Sequence, residues 1–511
     1  MVPFAEHTTG RAKRIGLVAG PVLAAVVFLA LPQQYIDEMG AVVELSRQAR
    51  AIAAFGIWMA VWWMTEAIPL YATALVPLAA FPLSGATTIK QAAAPYGHEL
   101  IYLFLGGFII ALALERWGLH RRMALTALRA VGTSPWLIIG AFMGIASALS
   151  MWVTNTATTI MLLPVAVSVI DLLQTRINND SNEPGNADDT GQNFPVCLLL
   201  GIAYAASIGG IGTIVGTAPN LFVVSFLQNQ LGIEISFARW MLIGVPLVLV
   251  FVPCVWLLLT RVIYPVSKRT IPGAFQLLKA ESLELPAMQR GEKLTLMVFA
   301  ATALAWVFRP LLNQLQVAGV RPLEGLTDPG IAVLGALLLF VLPADSEHRR
   351  FVMDWETAVK LPWGLLILFG GGLSLAAALD ASGFSAFLGS RAVALAPLPT
   401  WAIVVLVTGL MISLTELTSN TATTATLVPI LYAVATGLGL DPLILILPAG
   451  IAASCAFMLP VATPPNAIVF GSGMISVPQM CRAGLYLNIL GILLITGLTY
   501  AILVPVLGIQ G

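Results

Sequence analysis

Apolar residues in this 511-residue chain come in long unbroken runs, not at the spacing of an amphipathic helix or strand. No Asp, Glu, Lys or Arg occurs in residues 130 to 170, 190 to 233, 442 to 481 or 483 to 511. A helix needs roughly 20 apolar residues to cross about 30 Å of hydrocarbon while bonding its own backbone. The runs therefore predict an all-α polytopic membrane protein with about ten or eleven spans. The first, Ile15 to Leu31, follows Arg11, Lys13 and Arg14 and is not followed by a convincing cleavage site, so it reads as a span entered from the cytoplasm. Two polar stretches interrupt the pattern. Residues 174 to 193 have the acidic, turn-forming composition of a flexible solvent loop, and Val266 to Lys293 carries Lys268, Arg269, Lys279, Arg290 and Lys293 near mid-chain.

The runs also repeat. LFLGGFIIALALERWGL from Leu103 aligns with LFGGGLSLAAALDASGF from Leu368, and TNTATT at Thr154 to Thr159 aligns with SNTATT at Ser419 to Thr424, both at an offset of 265. A third pair, GTAPN ending at Asn220 and ATPPN ending at Asn466, has an offset of 246, and the shortfall matches the length of the polar loop. Two independent matches in one register predict an internal duplication. The expected organisation is a tail and first span in residues 1–48, a first repeat in 49–264, a cytoplasmic linker in 265–293 and a second repeat in 294–511. Glu115 to Gly132 holds Arg116, Arg121, Arg122 and Arg129, whereas its counterpart, Asp380 to Ala396, holds only Arg391. Short cytoplasmic loops are rich in Lys and Arg, so the charge bias predicts repeats of inverted topology. Arg349 and Arg350 fit the same cytoplasmic assignment.

Composition narrows the function. Only 10% of residues are charged and 25 Lys and Arg balance 25 Asp and Glu, which leaves no basic footprint for a nucleic acid. Cys197, Cys254, Cys455 and Cys481 are scattered in apolar runs and read as small buried side chains, and His7, His98, His120 and His348 are equally isolated. An intramembrane hydrolase would need a nucleophile paired with a base, and no such pair is visible.

The polar motifs within the apolar runs carry the chemistry. Thr154-Asn155-Thr156 lies mid-way along an uncharged run too long for one span, which predicts a re-entrant hairpin over 135–172 with these residues at its tip. Ser419-Asn420-Thr421 predicts a second over 400–440. The Gly and Pro of the third motif predict broken helices near 216–220 and 462–466. Unwound backbone at membrane depth is tolerated only where it is buried or lines a wet cavity, so these breaks mark a binding site. Ser, Thr and Asn offer oxygens to a hard cation and O–H or N–H donors to a carboxylate. No Lys or Arg lies within about 20 residues of Asn155 or Asn420. An anion bound there needs cations beside it, because an uncompensated buried charge costs several kcal/mol. Glu416 is the one carboxylate in this region, and it is open to a functional role or to a structural one as partner of a nearby backbone or hydroxyl group. The paired glycines Gly106/Gly107 and Gly371/Gly372 predict close helix packing, and Glu115 and Asp380 fall near span ends.

With TNTATT, SNTATT and the run MLPVATPPNAIVFGSG from Met458 to Gly473, nearly the whole chain resembles the divalent anion:sodium symporter family, the INDY-type carriers of di- and tricarboxylates. The resemblance implies eleven spans, two opposed hairpins, a homodimer in a bacterial inner membrane, and an elevator motion of a transport domain against a dimerising scaffold. It implies one sodium site at Ser150, Thr154, Asn155 and Gly216 and another at Thr415, Ser419, Asn420 and Ala462. Substrate carboxylates would meet Asn155, Thr156, Asn420 and Thr421, with Thr217, Thr463 and Pro464 completing the pocket. Thr154 stands where Ser is usual and Ala218 where Pro is common. The function implied is sodium-coupled uptake of a C4-dicarboxylate without an organic cofactor. Sodium-independent exchange, or transport of sulfate, tartrate or citrate, are the alternatives.

Overall fold

The computed structural model describes residues 4–36, 40–128, 134–180, 190–266, 287–317, 319–345 and 350–508. The chain is a bundle of helices whose outer surface is apolar. Leu29, Leu83, Leu249, Leu311, Val341 and Leu493 all face outward, which is the arrangement lipid solvates and water does not. Among the described residues seven helices are long and apolar enough to cross a membrane, or eight if a pair bent by 115° between Phe384–Leu395 and Thr400–Thr415 counts as one span. The expected eleven exceeds this because several apolar segments are split into helices of 10–17 residues, among them Pro135–Ser150 and Leu443–Ala452. Several helix N-termini are capped by side chains, which satisfy N–H groups left without an intrahelical partner. Ser46, Ser236, Thr327 and Ser476 each accept from the backbone N–H three residues on.

The helix Thr190–Gly209 is central, and residues 194–212 are all buried. It packs on Pro135–Ser150, Asn155–Asp180, Phe237–Leu257 and Pro464–Phe470. Peripheral helices such as Phe4–Ala30 and Arg290–Gln314 bury little of their surface.

Contacts between the two halves of the chain are reciprocal. Gly106 packs so closely on Ala332 that a methyl group there would lie 2.5 Å from the Ala332 backbone, and Gly371 would meet the Ala74 carbonyl at 2.3 Å. Asn155–Asp180 packs on Pro464–Phe470, and Ala218–Leu231 packs on Asn420–Gly437. Gly118 and Gly383, also 265 apart, both adopt positive φ (64° and 80°), turning the chain from a long helix into a short one, Leu119–Leu128 or Phe384–Ala392. The close packing expected of the paired glycines is therefore present, and Glu115 and Asp380 lie exposed in the last turns of their helices.

Three expectations change. Helix runs to Asp180 and resumes at Thr190, so the polar loop is shorter than residues 174 to 193; residues 181–189 lie outside the described residues, as do 267–286 of the linker with Lys268, Arg269 and Lys279. Arg129 and Arg349 also lie outside them. The chain is not purely helical. Two short antiparallel ribbons, Gln34–Ile36 with Val42–Glu44 and Pro343–Asp345 with Arg350–Phe351, follow helices Phe4–Ala30 and Asp328–Val341. Of the cysteines, all free, Cys197 and Cys455 are buried but Cys254 and Cys481 only partly so.

Candidate functional site

At each expected hairpin the chain forms two helices joined by a short break, the first outgoing helix running past residue 172 to Asp180. Pro135–Ser150 and Asn155–Asp180 flank the first, and Thr400–Thr415 and Asn420–Gly437 the second. At both, the last hydroxyl of the incoming helix donates to the amide oxygen of the Asn that starts the outgoing one. Ser150 Oγ bonds Asn155 Oδ1 at 2.6 Å, and Thr415 bonds Asn420 Oδ1. Thr159 and Thr424 return to the carbonyls of Asn155 and Asn420 at 2.8 and 2.7 Å. Thr154 Oγ1 and Ser419 Oγ accept from the N–H of Ala157 and Ala422 and so act as N-caps of the outgoing helices. Thr154 is exposed, Asn155, Thr156, Ser419 and Asn420 are half-buried, and Ser150, Thr415 and Thr421 are buried.

The broken helices lie against these tips. In the first half, Thr190–Gly209 tightens into the turn Gly210–Gly212 and gives way before Ala218–Leu231 begins. A methyl group on Gly210 would lie 2.8 Å from Asn155 Oδ1 and 3.1 Å from the Gly216 carbonyl oxygen. Gly210 thus lies against both Asn155 and Gly216, with Ser150 attached through Asn155. In the second half, Leu443–Ala452 ends, Pro464–Phe470 follows, and Thr415 Oγ1 lies 2.9 Å from the Ala453 carbonyl. Thr463 and Ala462 are buried, Pro464 is exposed and Thr217 is half-buried. Each tip therefore gathers hydroxyl, amide and backbone oxygens. Such a set suits a hard monovalent cation, not the nitrogen- and sulfur-loving metals. Among the described residues no three His, Cys, Asp or Glu side chains come together.

Two contributors are visible only in three dimensions. Asn220 Nδ2 donates to the carbonyls of Gly210, Ile211 and Thr213 at 3.0, 3.4 and 2.8 Å. Asn466 Nδ2 donates to those of Ala456 and Leu459 at 3.1 and 3.0 Å. Both side chains are completely buried, and the Gly210/Ala456 and Thr213/Leu459 pairs keep the offset of 246. These amides close the gap left by each broken helix by satisfying carbonyls that water cannot reach. Asn220→Leu is expected to lower the unfolding free energy by about 2–3 kcal/mol, since it strands the buried carbonyls of Gly210 and Thr213, while Ile211 keeps Trp240 Nε1 as donor; denaturation in detergent micelles checks this. In sequence both asparagines were repeat markers, and nothing local revealed which carbonyls they hold.

Glu416 has the structural role. Its carboxylate, buried at 5% exposure, accepts from the backbone N–H groups of Phe457, Met458 and Leu459 and from Asn488 Nδ2, at 2.7 to 3.3 Å. Beside the first hairpin a cavity of about 500 Å³ runs along the outgoing helix. Ala157, Met161, Pro164 and Ser168 line one wall, and Glu115 and His120 lie opposite.

Hairpin tips that face broken helices inside an apolar bundle define a membrane transporter. The chain belongs to the sodium:sulfate symporter family: residues 21–507 match that family's sodium:sulfate symporter transmembrane region. It is 38% identical over 500 residues to the sodium-dependent dicarboxylate transporter SdcS of Staphylococcus saprophyticus, a match covering 97% of this chain and 92% of that protein. The SdcS of Staphylococcus aureus strain USA300 is 39% identical over 498 residues, with the same coverage. Among solved structures the fold is similar to the YdaH transporter of Alcanivorax borkumensis, with a TM-score of 0.57 at 14% identity over 97% of this chain and 98% of that one. It is also similar to MtrF of Neisseria gonorrhoeae, with a TM-score of 0.56 at 14% identity over 98% and 94%.

Proposed function

We propose that the protein is a sodium-coupled symporter of C4-dicarboxylates such as succinate, fumarate or malate. The observation that carries this reading is the pairing of Ser150 with Asn155 and Thr415 with Asn420 at two tips built only from neutral oxygen and N–H groups. The ion pairs Arg116–Asp354, Arg122–Glu292 and Arg309–Asp328 all join other residues. A dianion held at the tips gains its compensation from cations bound in the same cradle. SdcS, similar over nearly the whole chain, is named for sodium-dependent dicarboxylate transport. Sodium sits with Ser150, Thr154, Asn155 and Gly216 and with Thr415, Ser419, Asn420 and Ala462. The substrate carboxylates take Asn155, Thr156, Asn420 and Thr421, between Thr217, Thr463 and Pro464. The hydroxyls of Thr154 and Ser419 cap their helices with one lone pair and keep another for the ion.

The halves form inverted repeats with eleven spans in all, divided as residues 49–264 and 294–511. Reciprocal contacts such as Gly106 on Ala332 and Gly371 on Ala74 support a two-fold relation between them. The unequal arginine content of the two matching segments supports an axis in the membrane plane. Hairpins and broken helices move together as an elevator, through the short helices Leu119–Leu128 and Phe384–Ala392, against a homodimeric scaffold of the remaining spans. The cavity beside Ala157 and Met161 supplies an approach to the first tip. The N-terminus is cytoplasmic and the membrane a bacterial inner membrane.

Proteoliposome uptake of labelled succinate tests the reading. Uptake is expected under an inward sodium gradient and not under an equal potassium gradient. Equal rates in both would favour sodium-independent exchange and overturn symport. Competition by unlabelled sulfate, tartrate and citrate orders the other dianions, the first of which the family's description favours.

A further inference from the structure

The two halves are held in different postures. In the second, the short helix Phe384–Ala392 is seated directly on the outgoing hairpin helix Asn420–Gly437, where a methyl group on Gly437 would lie 2.3 Å from the Gly389 backbone. In the first, the cavity of about 500 Å³ opens between the start of Leu119–Leu128 and the outgoing helix Asn155–Asp180. That opening lies beside Glu115, at the arginine-rich end of helix Glu99–Arg116. At the opposite end of the same helix, roughly 27 Å away at 1.5 Å per residue, the molecule is fastened shut. Gln228 Nε2, in the last turn of the broken helix Ala218–Leu231, donates to Glu99 Oε1, and the Asn229 side chain bonds His98. Gly232, at φ 65°, ends that helix in a rigid turn: its N–H reaches the Gln228 carbonyl at 3.1 Å, and the Ile233 N–H reaches that of Leu227 at 3.3 Å. The turn presents Glu234 to Arg309, whose Nη2 lies 3.0 Å from Glu234 Oε1. Arg309 is also paired with Asp328 at 2.9 Å, so it is not stranded when Glu234 leaves. The duplication supplies no second copy of this fastening. At the offset of 265, His98 and Glu99 become Trp363 and Gly364, and Gly364 sits against the Tyr71 ring with no side chain to offer.

We propose that residues 228–234 are a polar clasp between the moving block and the scaffold. It closes the outer end of the molecule and biases the resting protein toward the state whose cavity faces the cytoplasm. The proposal rests on the elevator reading: Gln228, Asn229 and Glu234 follow the broken helix, whereas His98, Glu99 and Arg309 belong to spans that stay. An exposed pair of this kind shifts an equilibrium only roughly 1.5- to 5-fold. Three pairs released by one movement act together and shift it on the order of tenfold. With Gly364 at the corresponding position, the opposite state gains no matching contact in return.

Cross-linking the clasp tests whether it must open. In full-length E99C/Q228C protein, a short, thiol-cleavable bifunctional methanethiosulfonate should join the two cysteines within one chain. After reconstitution, succinate uptake should fall at least about tenfold, and reductant should restore it to within about twofold of unreacted protein. Failure of the cross-link to form, uptake unaffected by it, or an equal loss in either reacted single-cysteine variant overturns the proposal. The bias is read separately from S168C, a thiol placed on the cavity wall and labelled by a hydrophilic maleimide in detergent. Adding Q228M and E234Q should slow its labelling at least about twofold; an unchanged or faster rate also overturns the proposal. Both substituted positions reach solvent, so the fold is kept, as an unchanged melting temperature would show. Labelling needs neither sodium nor substrate. Wild-type uptake indifferent to sodium would therefore refute symport alone and leave the clasp to be judged by its own readout.

Discussion

Asn155→Ala and Asn420→Ala are each expected to reduce sodium-driven succinate uptake about 100-fold or more in proteoliposomes, with the protein still folded. Each substitution removes the amide oxygen to which Ser150 or Thr415 donates. Loss of the ligand oxygen removes up to about 3 kcal/mol of binding, the worth of a bond to a charged partner, and each 1.4 kcal/mol is tenfold in affinity. The helix beyond each tip survives, because its first N–H groups are capped by Thr154 and Ser419 rather than by the asparagines. Melting temperature without sodium should therefore change little, and the stabilisation that sodium gives should be lost. Retention of saturable uptake by both variants would remove the tips from the transport reaction.

Arg309→Met is expected to destabilise the protein by about 3–5 kcal/mol, the usual cost of stripping a buried charge of its partner. Arg309 Nε lies 2.9 Å from Asp328 Oδ1, with side-chain exposures of 13% and 7%, and Arg309 Nη2 lies 3.0 Å from Glu234 Oε1. Asp328 Oδ2 also accepts the Phe237 N–H at 2.8 Å, its carbonyl accepts from Trp306 Nε1 at 3.0 Å, and the Phe237 and Trp306 rings stack at 4.4 Å. The pair is thus the core of a joint between helices Arg290–Gln314, Asp328–Val341 and Phe237–Leu257. Arg309→Met with Asp328→Asn should recover much of the loss, since no unpaired buried charge then remains and Glu234, 64% exposed, stays solvated. Thermal unfolding in detergent measures both, and a double variant no more stable than Arg309→Met would contradict the account.

The hairpin tips were legible because a cluster of Asn and Thr is costly to bury in a charge-free run unless it binds something, and because the cluster occurs twice in register. The glycine contacts were legible from the same duplication. What hid was whatever depends on residues far apart in the chain. Glu416 could be read either way until the N–H groups of 457–459, some 41 to 43 residues on, were seen to surround it. The Arg309, Asp328 and Glu234 joint has no local signature, since each charge alone looks like the end of a span. The count of spans was obscured by the breaks themselves, which cut apolar runs into helices too short to register as crossings.

The reciprocal seating of Asn155–Asp180 on Pro464–Phe470, and of Ala218–Leu231 on Asn420–Gly437, reaches beyond any single binding event. Each half of the polypeptide supplies helices that are covered by helices of the other. A fragment spanning either half alone would leave Asn155–Asp180 or Asn420–Gly437 without the helix that covers it from the other half. A change of volume on Pro464–Phe470 is therefore felt by both Asn155–Asp180 and Thr190–Gly209, helices of the other half.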